Sequence, residues 1–226
     1  MARALRGPAS NVHTRVMTPS RDHLTLGPLT FEIAEASISA QLDDPYWMTK
    51  YAPERAPPRV LWFVEVHAKP LVHDGEHWAP AASHAFHSAI RSWRELGEVR
   101  LAWTSRFDEE TGEPNGNFYV FEHRDIPEAS LSIRGSERSD FIVELRGKCD
   151  VGGSSEIDEN VPFALVAAAR FTEIVVHGSG ADDAATLTAR LAQHVALDEL
   201  VAGELTRSGK LDDGTPCCRM SFAARR

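Results

Sequence analysis

Between His23 and His177 the chain sets apolar side chains at alternate positions in one short stretch after another, with polar turns between them. A period of two is what a strand with one buried face requires, because successive side chains point to opposite sides of the pleat. Leu29, Phe31 and Ile33 alternate with Thr30, Glu32 and Ala34, and the apolar phase then shifts to Ala36, Ile38, Ala40 and Leu42. Such a shift marks either a β-bulge or a turn between two strands. Residues 60–66 (VLWFVEV) are apolar on both faces except at Glu65, as in a central strand covered on both sides. Residues 71–78 read as a hairpin, because Asp74-Gly75 supplies the positive-φ positions of a tight turn. Over 81–96, a strand followed by one helical turn from Ser92 fits the spacing of Phe86, Ile90, Trp93 and Leu96.

Further strands are expected around Leu101 and Trp103, Phe118 and Phe121, Leu131 and Ile133, and Phe141, Val143 and Leu145. Residues 163–176 form a last long strand, apolar on both faces apart from Arg170, Thr172 and Glu173. Short strands divided by polar turns at 108–117, 134–139 and 150–160 predict a mainly β protein: an antiparallel sandwich or barrel-like domain.

After Gly178-Ser179-Gly180 the period changes. Asp182 and Asp183 are suited to cap a helix N-terminus, and Ala184, Leu187, Leu191 and Val195 share one helical face. The stripe breaks near Asp198 and resumes at Val201 and Leu205, as in one kinked helix or two short ones with Asp198 capping the second. The expected organisation is a flexible basic arm over 1–21, an antiparallel β domain over 22–178, a C-terminal helix or helix pair packed on the sheet over 181–207, and a loose tail over 208–226. Met17 is a second possible start besides Met1.

Charge narrows the partners. The chain of 226 residues has a formal net charge of −9, yet residues 1–21 carry four arginines and no acid. Residues 207–226 carry five bases against Asp212 and Asp213, which leaves the body between with 15 bases and 31 acids. A surface this acidic repels phosphates, so no direct nucleic-acid partner is expected and a basic protein is electrostatically welcome. The apolar run 163–169 is too short to cross a bilayer and no secretory leader is visible, so a cytoplasmic location without membrane attachment is the expectation. Three cysteines, Cys149, Cys217 and Cys218, are an odd number and read as reduced thiols, the last two in the tail.

No catalytic motif stands out. His67, His73, His77, His84 and His87 fall close together with Glu65, Asp74 and Glu76, but the turn at Asp74-Gly75 breaks any common face. A metal needs three or four ligands converging at about 2.0–2.2 Å. The histidines are therefore read as exposed hairpin residues, and no metal or other cofactor is assigned. Cys217-Cys218 lacks the second cysteine pair of a soft-metal site, and neither a GxSxG elbow nor a phosphate-binding GxxxxGK[ST] loop occurs.

Two segments point to binding instead. Tyr46, Trp47, Met48 and Tyr51 lie in a proline-rich loop beside Asp43 and Asp44, and large aromatics with methionine are typical anchors of an interface core. Asp108, Glu109, Glu110 and Glu113 form an acidic loop suited to clamp a basic partner. The function expected from these features is a non-catalytic, acidic protein-binding module, for instance an immunity or inhibitor-type protein. The alternatives are a structural subunit of a larger assembly, using the basic arm and the tail, and a metal-dependent enzyme or carbohydrate-binding sandwich using the histidine segment.

Overall fold

The computed structural model describes residues 22–42, 59–109, 112, 114–135, 139–152, 157–207, 214 and 216–225. The arm 1–21 and the loop bearing Tyr46, Trp47, Met48 and Tyr51 lie outside the described residues, as do Glu110 and Glu113.

The first half of the chain supplies β1 (His23–Leu26), β2 (Leu29–Leu42), β3 (Val60–Ala68), β4 (Leu71–His73), β5 (Glu76–Trp78) and β6 (Ala81–His87). A 3₁₀ turn, Trp93–Glu98, precedes β7 (Arg100–Trp103), β8 (Asn117–Tyr119) and β9 (His123–Asp125). Then come β10 (Glu128–Gly135), β11 (Asp140–Gly152) and β12 (Ile157–Ser179). The C-terminal part adds helix α1 (Ala184–Ala192), a second 3₁₀ turn (Leu197–Glu199), β13 (Leu200–Ala202) and β14 (Cys217–Ala224).

Apart from the β4–β5 hairpin, these strands form one large sheet in the order β7-β10-β11-β12-β1-β2-β3-β6-β8-β9, with β14 on β12 and β13 on β14. The pairings are antiparallel except that β2 also runs parallel to β12. The antiparallel β class expected from the alternation is thus what the chain builds, as a rolled sheet. Its two ends, β7 and the β6–β8–β9 side, meet through side chains: the Trp103 ring stacks on His84 at 4.3 Å, and Trp103 Nε1 donates to the Ile126 carbonyl at 2.9 Å. Among the described residues no hydrogen-bonded ladder joins β7 to β9, so the barrel-like roll is open.

Alternation decides what lies inside the roll. Val60, Trp62, Val64, Val66 and Ala68 of β3 are buried, while Leu61 and Phe63 are half-buried and Glu65 and His67 exposed. The strand read as covered on both sides is therefore fully covered on one side only. In β2 the ladder with β3 shifts between Ile33 and Glu35, so the phase slip in the sequence is a bulge within one strand. A second shift falls between Phe171 and Ile174 of β12, after which Ile174 and Val176 point inward in place of the odd-numbered residues.

One end of the roll is plugged by the 3₁₀ turn and α1. Trp93 stacks on Phe171 at 5.6 Å and meets Phe141 edge-on, while Leu187 and Leu191 of α1 are fully buried. Asp183 caps α1, accepting from the Thr186 amide at 2.8 Å, as the sequence pattern suggested for 182–183. The second helix does not form. Asp198 sits inside a three-residue 3₁₀ turn whose N-cap is Ala196, and the chain then extends as β13 with Val201 exposed. Helix formation there would need several turns to repay its nucleation, whereas β13 gains a partner in β14 at once.

The expected loose tail is also corrected, because Cys217–Ala224 pairs with β12 from Ser179 back to Glu173 and buries Cys218, Met220 and Phe222. Neighbouring positions of a strand face opposite ways, so Cys217 and Cys218 diverge and both are free thiols. Among the described residues no helix is long and apolar enough to cross a membrane.

The plug depends on one close approach. A Cβ at Gly97 would lie 2.5 Å from the Gly135 nitrogen and 2.6 Å from its Cα, both backbone atoms that cannot rotate away. Gly97→Ala is expected to lower stability by about 1–3 kcal/mol in urea unfolding followed by Trp fluorescence; an unchanged midpoint contradicts this packing.

Candidate functional site

The strand directions bring a second set of connections to the end of the roll opposite α1. There β3 leaves at Ala68 and β6 enters at Ala81, joined by the β4–β5 hairpin. Trp103 pairs with Ala129 and Glu128 with Lys148, which brings the connection 104–116 and the starts of β10 and β12 to the same end. The β8–β9 turn lies there too, since Tyr119 pairs with Ala81 and Glu122 approaches Gly152.

This end has a distinct chemistry. Residues 69–80, 104–128 and 148–160 together contain 13 acids and four bases, a net of −9 that equals the formal charge of the whole chain. The four bases are already engaged: Lys69 with Glu32 at 3.1 Å, Arg106 with Asp150 at 3.1 Å, Lys148 with Glu128 at 3.3 Å, and Arg124 with Glu122. Glu109 and Glu159 stay exposed. Among the described residues five large apolar side chains are exposed, and four of them, Leu71, Val72, Phe107 and Tyr119, lie at this end. Val72 is the most open, at 60%.

The hairpin that carries Leu71 and Val72 follows the pattern read in the sequence. Asp74 (φ 52°) and Gly75 (φ 82°) take the left-handed conformations of a two-residue turn, and His73 stands opposite Glu76. Its base is fixed by Trp78, whose ring meets Phe121 edge-on at 5.1 Å.

The acidic connection is held from inside the core. His84 is buried on the inward face of β6, beside Phe86. Its Nδ1 bonds the Asn115 carbonyl, and because a carbonyl only accepts, Nδ1 carries the proton. The same ring stacks on Trp103, so His84 grips both flanks of the connection 104–116. Burial pushes its pKa down to about 4, against the Asn115 bond that favours the proton. Farther along, Asp150 is buried and accepts from Arg106 at 3.1 Å and from the Asn160 amide at 3.0 Å, tying the connection to the β11–β12 turn.

The residues singled out from the sequence are placed as follows. Asp108 is half-buried and Glu109 exposed at the acidic end. The aromatic loop leaves from Leu42 and returns at Val60, which are partners at the α1 end. Its roots are thus eight residues of strand from the hairpin end, roughly 26 Å at a strand's rise per residue. The five histidines do not converge: His67 faces Glu35 on the outer surface, His73 and His77 lie in the hairpin, His84 is inside, and His87 ends β6 on the opposite face from His84. Among the described residues no group of three or more His, Cys, Asp or Glu side chains is placed to hold a metal ion. His84 departs from the exposed hairpin histidine expected, and its signal was available: on a strand it shares a face with Ala82 and Phe86.

Comparison of the chain with protein-family models, with curated proteins and with solved structures gave no match. The functional reading therefore rests on the geometry of the molecule itself.

The buried neutral imidazole makes stability depend on pH. Between pH 6.5 and about 4 the unfolded chain takes up a proton that folded His84 refuses, so its contribution is present above that window and lost as pH falls. Comparing His84→Phe with the parent protein in urea unfolding, the drop in stability from pH 7.5 to pH 4.5 should shrink by about 2–3 kcal/mol. Equal drops would mean that the imidazole is not held neutral.

Proposed function

We propose that the protein is a non-catalytic binding module that takes a basic protein partner at its acidic end. The observation that supports this reading is the coincidence of two features: the stretches with 13 acids and four bases also carry four of the five large apolar side chains exposed among the described residues. Apolar anchors within a charged rim are the anatomy of a specific interface, where the anchors supply affinity and the charges speed and orient the encounter. Leu71 and Val72 on the projecting hairpin are the natural anchors, with Phe107 and Tyr119 beside them. Asp108 and Glu109 act as part of the rim. An inhibitor or immunity protein directed at a cationic target is a concrete form of this role.

The assembly-subunit alternative rests on the arm 1–21 and the tail; Cys217–Ala224 of the tail is taken up by pairing with β12, and nothing in the described geometry adds to this alternative. The metal or sugar alternative loses its main motive with the dispersal of the histidines.

Selection from a displayed library of short random peptides tests the proposal on the full chain. Peptides rich in Lys and Arg with an aromatic or aliphatic anchor should be enriched, and raising salt from about 0.05 M to about 0.5 M should weaken them. The double variant Leu71→Ser, Val72→Ser should bind about tenfold or more weakly, with stability unchanged to within about 0.5 kcal/mol. Enrichment of neutral or acidic peptides, or equal binding by the double variant, would refute it.

A further inference from the structure

Leu71 and Val72 are neighbours on one strand, so their side chains leave opposite faces of the β4–β5 ribbon. The register assigns the faces. Leu71 pairs with Trp78 and His73 with Glu76 on one face, while Val72 pairs with His77 on the other. Leu71 is 38% exposed and Val72 60%, so apolar surface is open on both sides of the same hairpin. A flat partner covers one face of a ribbon and leaves the other in water. Burying both takes a partner with two walls.

The way the hairpin is attached suits it to enter such a cleft. β4 and β5 form a two-stranded sheet of their own, and among the described residues no ladder joins them to the large sheet. A lone hairpin is marginal in water. This one is held at its base, where Trp78 meets Phe121 edge-on at 5.1 Å and His73 meets Trp78 edge-on at 5.9 Å. Its two-residue turn keeps the tip as narrow as two strands about 4.8 Å apart. At the apex the Asp74 side chain is 89% exposed, with Oδ2 3.4 Å from His73 Nε2. The hairpin is thus a finger with apolar sides and an anionic tip.

We propose that the β4–β5 hairpin is an inserting finger that enters a cleft of the basic partner, with Leu71 against one wall, Val72 against the other and Asp74 toward a Lys or Arg at the floor. The inference rests on the reading of the acidic end as a binding surface and specifies the kind of partner that surface takes. Side chains on both faces of a ribbon set each wall about 10 Å from its mean plane, the spacing of packed layers. Charge complementarity sets the rest. The connections around the base of the finger are acidic, with Glu109 and Glu159 exposed, so the rim of the cleft is cationic like its floor. The occupant is a basic protein with a narrow, apolar-walled cleft.

Photo-crosslinking with the full chain tests this. Leu71, Val72 or, as a control on the outer face of β11, Arg146 is replaced singly by benzoylphenylalanine, and the chain is irradiated in a lysate of the cells that carry its gene. Positions 71 and 72 should attach to the same basic protein, at two segments separate in its sequence, and position 146 to neither. With that protein purified, Leu71→Ser and Val72→Ser should each weaken binding about fivefold or more. Asp74→Asn should weaken it about threefold at low salt, the difference fading at about 0.5 M. Capture through one face only, both faces attached to one segment, a second copy of this chain as the product, or unaltered affinity in either serine variant would overturn the insertion. Capture of a basic protein through one face leaves the binding-module reading standing; capture of no basic protein at position 71 or 72 removes both.

Discussion

The rest of the fold is built on the pairing of β12. This 23-residue strand forms ladders with β11, β1, β2 and β14, and so carries hydrogen bonds to the middle of the sheet on both of its edges. Its odd-numbered side chains from Phe163 to Phe171 fill the roll; after the shift at Thr172 and Glu173, Ile174 and Val176 do so instead. The shift lets one strand serve two stretches of core that are out of phase. It also explains the unusual parallel pairing: β1 is only four residues long, so where it ends β2 meets β12 directly.

That arrangement separates the chemistry of the two ends. Alternation keeps charge off the inward face of the long strands, so charge sits on their outer face, as at Glu65, Glu144 and Arg170, and in the connections. At the hairpin end the connections are acidic and open; at the α1 end they are plugged by aromatic packing around Phe171. His84 links core to surface at the first end. Its tautomer, fixed by Asn115, holds the acidic connection from beneath, and its low pKa is the cost of placing an imidazole in an apolar slot.

Most of the β architecture was legible because alternation is a local signal. The bulge in β2, the Asp74-Gly75 turn and the Asp183 cap were all visible as residue patterns within a few positions of each other. What escaped depends on distant partners. Residues 217–224 do alternate, with Cys218, Met220 and Phe222 set against Arg219 and Ser221, but so short a run is a weak signal until β12 offers an edge, and residues 200–202 take β structure because β14 lies beside them. The acidic loop was legible as composition, but its company was not: the exposed Leu71 and Val72 join it only through the sheet order. The aromatic loop and the acidic loop both point to binding by composition, but composition carries no distance between them. Their roots lie at opposite ends.

Amide hydrogen exchange, resolved by residue, tests most directly whether β12 is the spine. The account predicts that amides of residues 163–171 exchange slowest of all, at rates set by global unfolding, with those of the 71–78 hairpin far faster. Amides of 163–171 exchanging as fast as the hairpin, or a protection maximum elsewhere in the chain, would contradict it.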